Sequence, residues 1–435
     1  MKKIIILCCL LISVISKSQT PTELSVSFLG KMIREQFDSC ETYFDPSITD
    51  KINASKMQQA WNSIPTYVGE YKSFDNIRTE KKDSVEFVIL QCAFEKTKLD
   101  LKFAYNKKLK IIGLLFVPPT SKNAYNLPEY YEASKLYETK LTVKTGTFEM
   151  PGMLCVPNNI QNPPVVILLA GSGPNDKDGT IAGNKVLKDI ALGLASKGIA
   201  SLRYDKRAFA QGGKIDINKF GLYEEVVEDA LSAIKILREN AITKESKIVV
   251  AGHSLGGMCA PWIASKSKDI SGVILLAGPA RRLEDAVMDQ YIYLGSVDSA
   301  SAESNKAIAD MKIKVATVKN SKALKSAAAK DLPLGVSAFY WESINKYDHV
   351  ATAKKVKQPM LILNGERDYQ VTMVDFNWWK KELGSNLKNK FISYPKLNHL
   401  FMKGEGKPNP EEYEKPNNVD AKVILDMVEF IKSIK

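Results

Sequence analysis

The sequence predicts an α/β fold: a mostly parallel sheet with helices on both faces and a helical insertion, preceded by a small α+β unit. Three observations carry this. From about residue 141, apolar runs at Val165–Leu169, Ile199–Arg203, Ile248–Val250, Gly272–Leu276 and Met360–Leu363 alternate with helical patterns. That is how strands buried on both faces of a parallel sheet read. Residues 20–117 follow a different pattern, with helical spacing first and short meandering strands after. Finally, the Ile248–Val250 strand runs straight into Gly252-His-Ser-Leu-Gly-Gly257, a strand-to-helix turn that lifts a serine hydroxyl out of the sheet.

At the N-terminus, Met1-Lys-Lys precedes an apolar run to Ile15, and small polar residues follow at Ser16 and Ser18. This reads as a signal peptide cleaved near Ser18–Gln19, too short for a membrane span. Cys8 and Cys9 sit too early in the run for a lipoprotein signal. A secreted protein, periplasmic or extracellular, without stable membrane insertion, is expected. The formal charge is +12, and losing Lys2, Lys3 and Lys17 with residues 1–18 leaves +9. The lysines are scattered in pairs such as Lys107-Lys108 and Lys380-Lys381, without interleaved aromatics. A solvated basic surface fits better than a nucleic-acid site. Cys40, Cys92, Cys155 and Cys259 show no CxxC spacing, and the chain has only 3 histidines. No metal site is expected, and the thiols read as buried and free.

Residues 20–117 form the N-terminal unit. Leu24, Phe28, Met32, Ile33 and Phe37 recur at helical spacing, a second short helix fits 55–63, and strands fit 84–94, 98–105 and 109–117. It contains no histidine, so docking or homo-oligomer formation suits it better than catalysis. Residues 118–140, with Pro118, Pro119 and Pro128, read as a linker. In the larger unit a helix is expected over 222–238, and a last helix carries Val423, Met427, Phe430, Ile431 and Ile434. Between the strands at 272–276 and 360–363 lie far more residues than the dozen or so a crossover needs. This stretch, about 281–350, is expected to be a helical lid over the serine.

A serine needs a base, and the base needs a carboxylate to orient it. His253 adjoins Ser254 and is expected to point to the other side of the turn. His349 is expected to approach the lid or the amino-terminal edge of a strand, the wrong end of a parallel sheet for a site. His399 follows the strand Lys390–Tyr394 in the loop Pro395–Phe401, at the carboxyl end, and is the expected base. Beyond the strand Met360–Leu363, Asp368 is the expected acid. Glu366 is the alternative, more readily paired with Arg367 or solvent. An acyl-transfer site must also hold an oxyanion. The backbone amides of Leu255, after the serine, and of Ser172, in the loop Ala170-Gly-Ser-Gly-Pro174 after Val165–Leu169, are the expected donors. This loop lacks the spacing of a phosphate or dinucleotide cradle, and no cofactor is implied.

The chain order Ser254, Asp368, His399 is that of α/β-hydrolases. The segments Ala170–Pro174, Arg203-Tyr-Asp-Lys-Arg207, Gly252–Gly257, Gly365-Glu-Arg-Asp368 and Asn398-His399 resemble those of bacterial carboxylesterases of the α/β-hydrolase superfamily, over about residues 141–435. The N-terminal unit resembles a domain of unknown function, with a nuclear-transport-factor-2-like or cystatin-like cone, that precedes some of these enzymes. The resemblance implies a Ser-His-Asp mechanism on short acyl esters under a helical cap. Ala208 stands where these enzymes usually carry glycine, which implies altered geometry in 206–213. Peptidase, thioesterase and deacetylase chemistry use the same triad and stay open alternatives. A non-catalytic binding protein is disfavoured because every catalytic part is present.

Overall fold

The computed structural model describes residues 19–82, 84–95, 97–117, 125–297 and 301–435. The expected signal peptide and the first residues of the expected linker, 118–124, lie outside them. The chain divides into two compact units, Met1–Pro119 and Thr120–Lys435.

In the first unit a helix spans Pro21–Ile33. Thr20 caps it, with Glu23 closing a reciprocal capping box. A short turn of helix at Phe37–Glu41 and a helix at Ala54–Val68 follow. An antiparallel meander then runs β1 (Tyr71–Lys82), β2 (Val85–Phe94), β3 (Lys98–Tyr105) and β4 (Ile111–Val117). Phe28, Leu29 and Met32 of the first helix share a core with Val88, Leu90, Leu101 and Phe103 of the sheet. The second helix is longer than the sequence pattern indicated, and β1 was not expected at all. Its sequence, Tyr-Lys-Ser-Phe-Asp-Asn-Ile-Arg-Thr-Glu-Lys-Lys, lacks an apolar face because it is an edge strand and largely exposed.

The second unit opens with a hairpin of β5 (Leu136–Thr145) and β6 (Phe148–Pro157), so residues 136–140 belong to the sheet rather than to a linker. Then come β7 (Val165–Leu169), a two-residue ladder of β8 (Thr180–Ile181) and β9 (Asn184–Lys185), and β10 (Ala200–Tyr204). The remaining strands are β11 (Ile248–His253), β12 (Ile270–Leu276), β13 (Met360–Gly365) and β14 (Lys390–Tyr394). The eight-stranded sheet has the order β14-β13-β12-β11-β7-β10-β6-β5. From β14 to β10 every pairing is parallel; β6 pairs antiparallel with both β10 and β5.

Alternate residues of each central strand feed opposite faces. Val165, Ile167, Val250 and Leu275 join one core with the helices Glu228–Glu239 and Leu255–Lys266. Val166, Leu168, Ala251 and Leu276 join the other with Val186–Ser196 and Ala421–Ser433. Between β12 and β13 the chain forms the helices Leu283–Val297, Ala302–Lys319, Ser321–Ser326, Ala338–Lys346 and His349–Lys355. The four cysteines from Cys40 onward are buried and free. Among the described residues no helix is long and apolar enough to cross a membrane.

Candidate active site

β11 lies between β7 and β12, so its carboxyl end opens at the centre of the sheet. Ser254 follows with φ 54° and ψ −120°, and the helix Leu255–Lys266 begins at the next residue. Few non-glycine residues accept that backbone. It is held here by the Ser254 amide, which donates to the Leu276 carbonyl at 2.8 Å. The flanking glycines are steric necessities: a Cβ on Gly252 would stand 2.1 Å from the Gly256 carbonyl carbon. One on Gly256 would stand 2.7 Å from the Ala170 oxygen.

Asp368 and His399 leave the carboxyl ends of the neighbouring strands β13 and β14. The two meet with His399 Nδ1 at 2.6 Å from Asp368 Oδ2, both groups buried. The second Asp368 oxygen accepts the backbone amides of Gln370 and Val371 at 2.8 and 2.9 Å. A carboxylate so saturated can only accept, which puts the proton on Nδ1 and leaves the lone pair on Nε2. Ser254 and His399 line one cavity of about 110 Å³ together with Gly171, Ser172, Asn175, His253 and Gln370. Its apolar wall, Ile181, Val186 and Leu187, comes from the ladder and helix after β7, which the sequence pattern did not single out.

The loop after β7 lies against the serine; a Cβ on Gly171 would stand 3.3 Å from Ser254 Cβ. Asn175 Nδ2 donates to the carbonyls of Gly171, Ser172 and Gly173 at 3.3, 2.8 and 3.1 Å. Among the described residues the amides of Ser172 and Leu255 have no protein acceptor.

Two expectations need correction. His253 does not face away: its ring lies 4.7 Å from that of His399, and Nε2 meets the His399 carbonyl at 2.8 Å. Burial, and then the neighbouring imidazole, lower its pKa to about 3, so it is a neutral donor that props the His399 loop. His349 is not at the amino-terminal edge. Its Nε2 lies 2.8 Å from the carbonyl of Ala280, just past the carboxyl end of β12, because the helix His349–Lys355 starts there and carries the chain back to β13. Glu366 is exposed to solvent, as expected, and accepts from Ser393 Oγ at 2.8 Å, while Arg367 pairs with Glu412 instead, since the turn after β13 sends successive side chains to different neighbours. The expected lid supplies none of the described residues lining the cavity. It approaches indirectly, through Gln290 on the Gln370 carbonyl and Tyr340 on Glu225. Ala208 itself lies within a short helix, Arg207–Gln211.

Sequence reasoning missed a buried cluster behind the loop. Lys206 Nζ donates to the Gly171 carbonyl at 2.7 Å and pairs with Glu225. Glu225 also accepts the Gly173 amide at 3.2 Å and the Tyr340 hydroxyl. Burial, with Glu225 beside it, raises the Tyr340 phenol well above its ordinary pKa. Glu225 stands in a π-helical turn, Tyr223–Val227, a local widening common near functional sites.

Comparison with known proteins gives five findings. Residues 179–406 match the family described as serine aminopeptidase, S33, and residues 25–114 match a protein family of unknown function, DUF3887. Esterase EstD of Thermotoga maritima is 34% identical over 404 residues, 93% of each chain. Among solved structures, Est1E from Butyrivibrio proteoclasticus aligns at 16% identity and TM-score 0.45, covering 68% of this chain and 99% of its own. The Pyrococcus furiosus esterase Pf2001 aligns at 16% and 0.44, covering 72% and 98%.

Proposed function

This chain belongs to the serine aminopeptidase S33 family of α/β-hydrolases, and from that premise we propose the following division of labour. The chain is a carboxylic ester hydrolase, as its likeness to Esterase EstD along nearly its whole length supports. Ser254 attacks the acyl carbonyl, and His399 Nε2 takes the serine proton. Asp368 holds the imidazole in the required tautomer and stabilises it once charged. The amides of Ser172 and Leu255 receive the oxyanion. His399 then returns the proton to the leaving alcohol, and water, activated by the same imidazole, releases the acid from the acyl-enzyme.

The observation that carries this reading is the 2.6 Å contact of buried Asp368 with His399, in one cavity with Ser254. The volume of about 110 Å³ and the wall of Ile181, Val186 and Leu187 favour short acyl groups. The helices of 281–350 act as a cap that bears on the cavity through Gln290 and Tyr340. Residues 1–18 direct secretion, and the N-terminal unit serves docking or self-association. An aryl-ester series from acetate upward tests the substrate reading. Turnover should be greatest at two to four acyl carbons and fall steeply beyond, whereas a maximum at long chains or on amides would refute it.

A further inference from the structure

We propose that Lys206 is a positioning residue for the oxyanion site, aiming and polarising the Gly171–Ser172 peptide, and that Glu225 and Tyr340 tie this device to the helical insertion. The inference rests on the assignment of the Ser172 amide as an oxyanion donor.

The argument starts from the peptide plane. The Gly171 carbonyl and the Ser172 N–H belong to one peptide, and the described chain contains no cis bonds. In a planar trans peptide these two dipoles point in opposite directions. Lys206 Nζ, at 2.7 Å from the Gly171 oxygen, therefore fixes where the Ser172 N–H points. Gly171 lies against Ser254, so the amide is fixed beside the reacting hydroxyl. The next peptide is anchored too, because the Gly173 N–H donates to Glu225 at 3.2 Å. Ser172 is thus held on both sides by one ion pair.

The pair also acts on charge. A carbonyl that accepts from an ammonium is polarised, and its N–H becomes a stronger donor in a low-dielectric site. Lys206 and Glu225 are both buried, and burying such a pair offers little stability over apolar packing. Glu225 pairs with the lysine without drawing it away from the loop, and it accepts the Tyr340 hydroxyl as well. Tyr340 lies on the helix Ala338–Lys346, in the insertion between β12 and β13. A second tie joins the same helix to the turn before Glu225, where the Leu222 amide donates to Ser343 Oγ at 2.8 Å. A shift of that helix would reach the oxyanion donor through two hydrogen bonds.

The test compares Lys206→Met and Tyr340→Phe in the full chain, with kcat and KM on a short aryl ester and inhibition by a short alkyl boronic acid. The boronate adduct is tetrahedral and places an oxygen in the oxyanion position. Lys206→Met should lower kcat about 10²-fold, the scale of losing one oxyanion donor. KM should change by less than roughly threefold, and boronate affinity should fall in step with kcat/KM. Tyr340→Phe should lower kcat about fivefold, the worth of one hydrogen bond. A general loosening of the fold would move KM as well and would not track boronate affinity. If Lys206→Met does not fold, the double variant Lys206→Gln/Glu225→Gln removes the charge without orphaning the carboxylate and is judged by the same criteria. Ser254→Ala is measured alongside. Retained turnover there would sink the nucleophile assignment itself. An inert Ser254→Ala beside a folded Lys206 variant with kcat within about threefold of the unaltered chain would overturn the positioning role alone.

Discussion

Three side chains on separate strand ends carry the proposed chemistry, and each should fail in its own way when altered. Ser254→Ala should lose about 10⁶ in turnover, and Asp368→Asn about 10⁴ because the imidazole then takes the wrong tautomer. Steady-state hydrolysis of an aryl acetate reads both; equal losses of only a few-fold would contradict the roles. His253 gives a pH prediction. Its folded pKa, about 3, is below the unfolded value of about 6.5, so below pH 6.5 the unfolded chain binds more protons. Stability should therefore be intact above pH 6.5 and drain away as the pH falls toward 3. His253→Gln, which keeps a donor for the His399 carbonyl, should show a smaller drop in melting temperature between pH 7 and pH 4.5 than the unaltered chain. An unchanged drop would mean that this imidazole is not the titrating group. His349, lowered in the same direction by burial, should supply part of the remainder.

The elements explain why some of these residues could be read from sequence and others could not. Ser254 is legible because the elbow is local: strand, glycines and helix lie within a dozen residues, and sterics force the spacing. Asp368 and His399 are legible because each follows an apolar strand, and parallel sheets gather their sites at the carboxyl ends. Lys206, Glu225 and Tyr340 are not legible, since each sits in a different element and charge pairing leaves no periodic trace. The edge strand β1 and the apolar wall from the ladder after β7 escaped for the same reason: tertiary neighbours, not spacing, define them. The elbow itself predicts that Gly252→Ala is not tolerated, with a Cβ 2.1 Å from backbone. Overpacking of that kind costs about 3 kcal/mol or more. Urea unfolding of Gly252→Ala checks this, and a midpoint like that of the unaltered chain would mean that the turn relaxes freely.

At the scale of the whole molecule, the two units have separate hydrophobic cores. Phe28, Leu90 and Phe103 anchor the first, and the two faces of the eight-stranded sheet anchor the second. Units with their own cores can fold apart. A chain beginning at residue 120 should therefore keep its circular dichroism melt and its kcat on short esters, and any self-association should be lost. Loss of kcat with the fold intact would give the N-terminal unit a part in catalysis.

The central claim is that Ser254, activated by His399, is the nucleophile of an acyl-enzyme. A fluorophosphonate probe followed by peptide mass mapping tests it most directly. One adduct should form on Ser254 in the unaltered chain, and labelling should be strongly slowed in His399→Ala and absent in Ser254→Ala. An adduct on another serine, or labelling that persists in Ser254→Ala, would contradict the account.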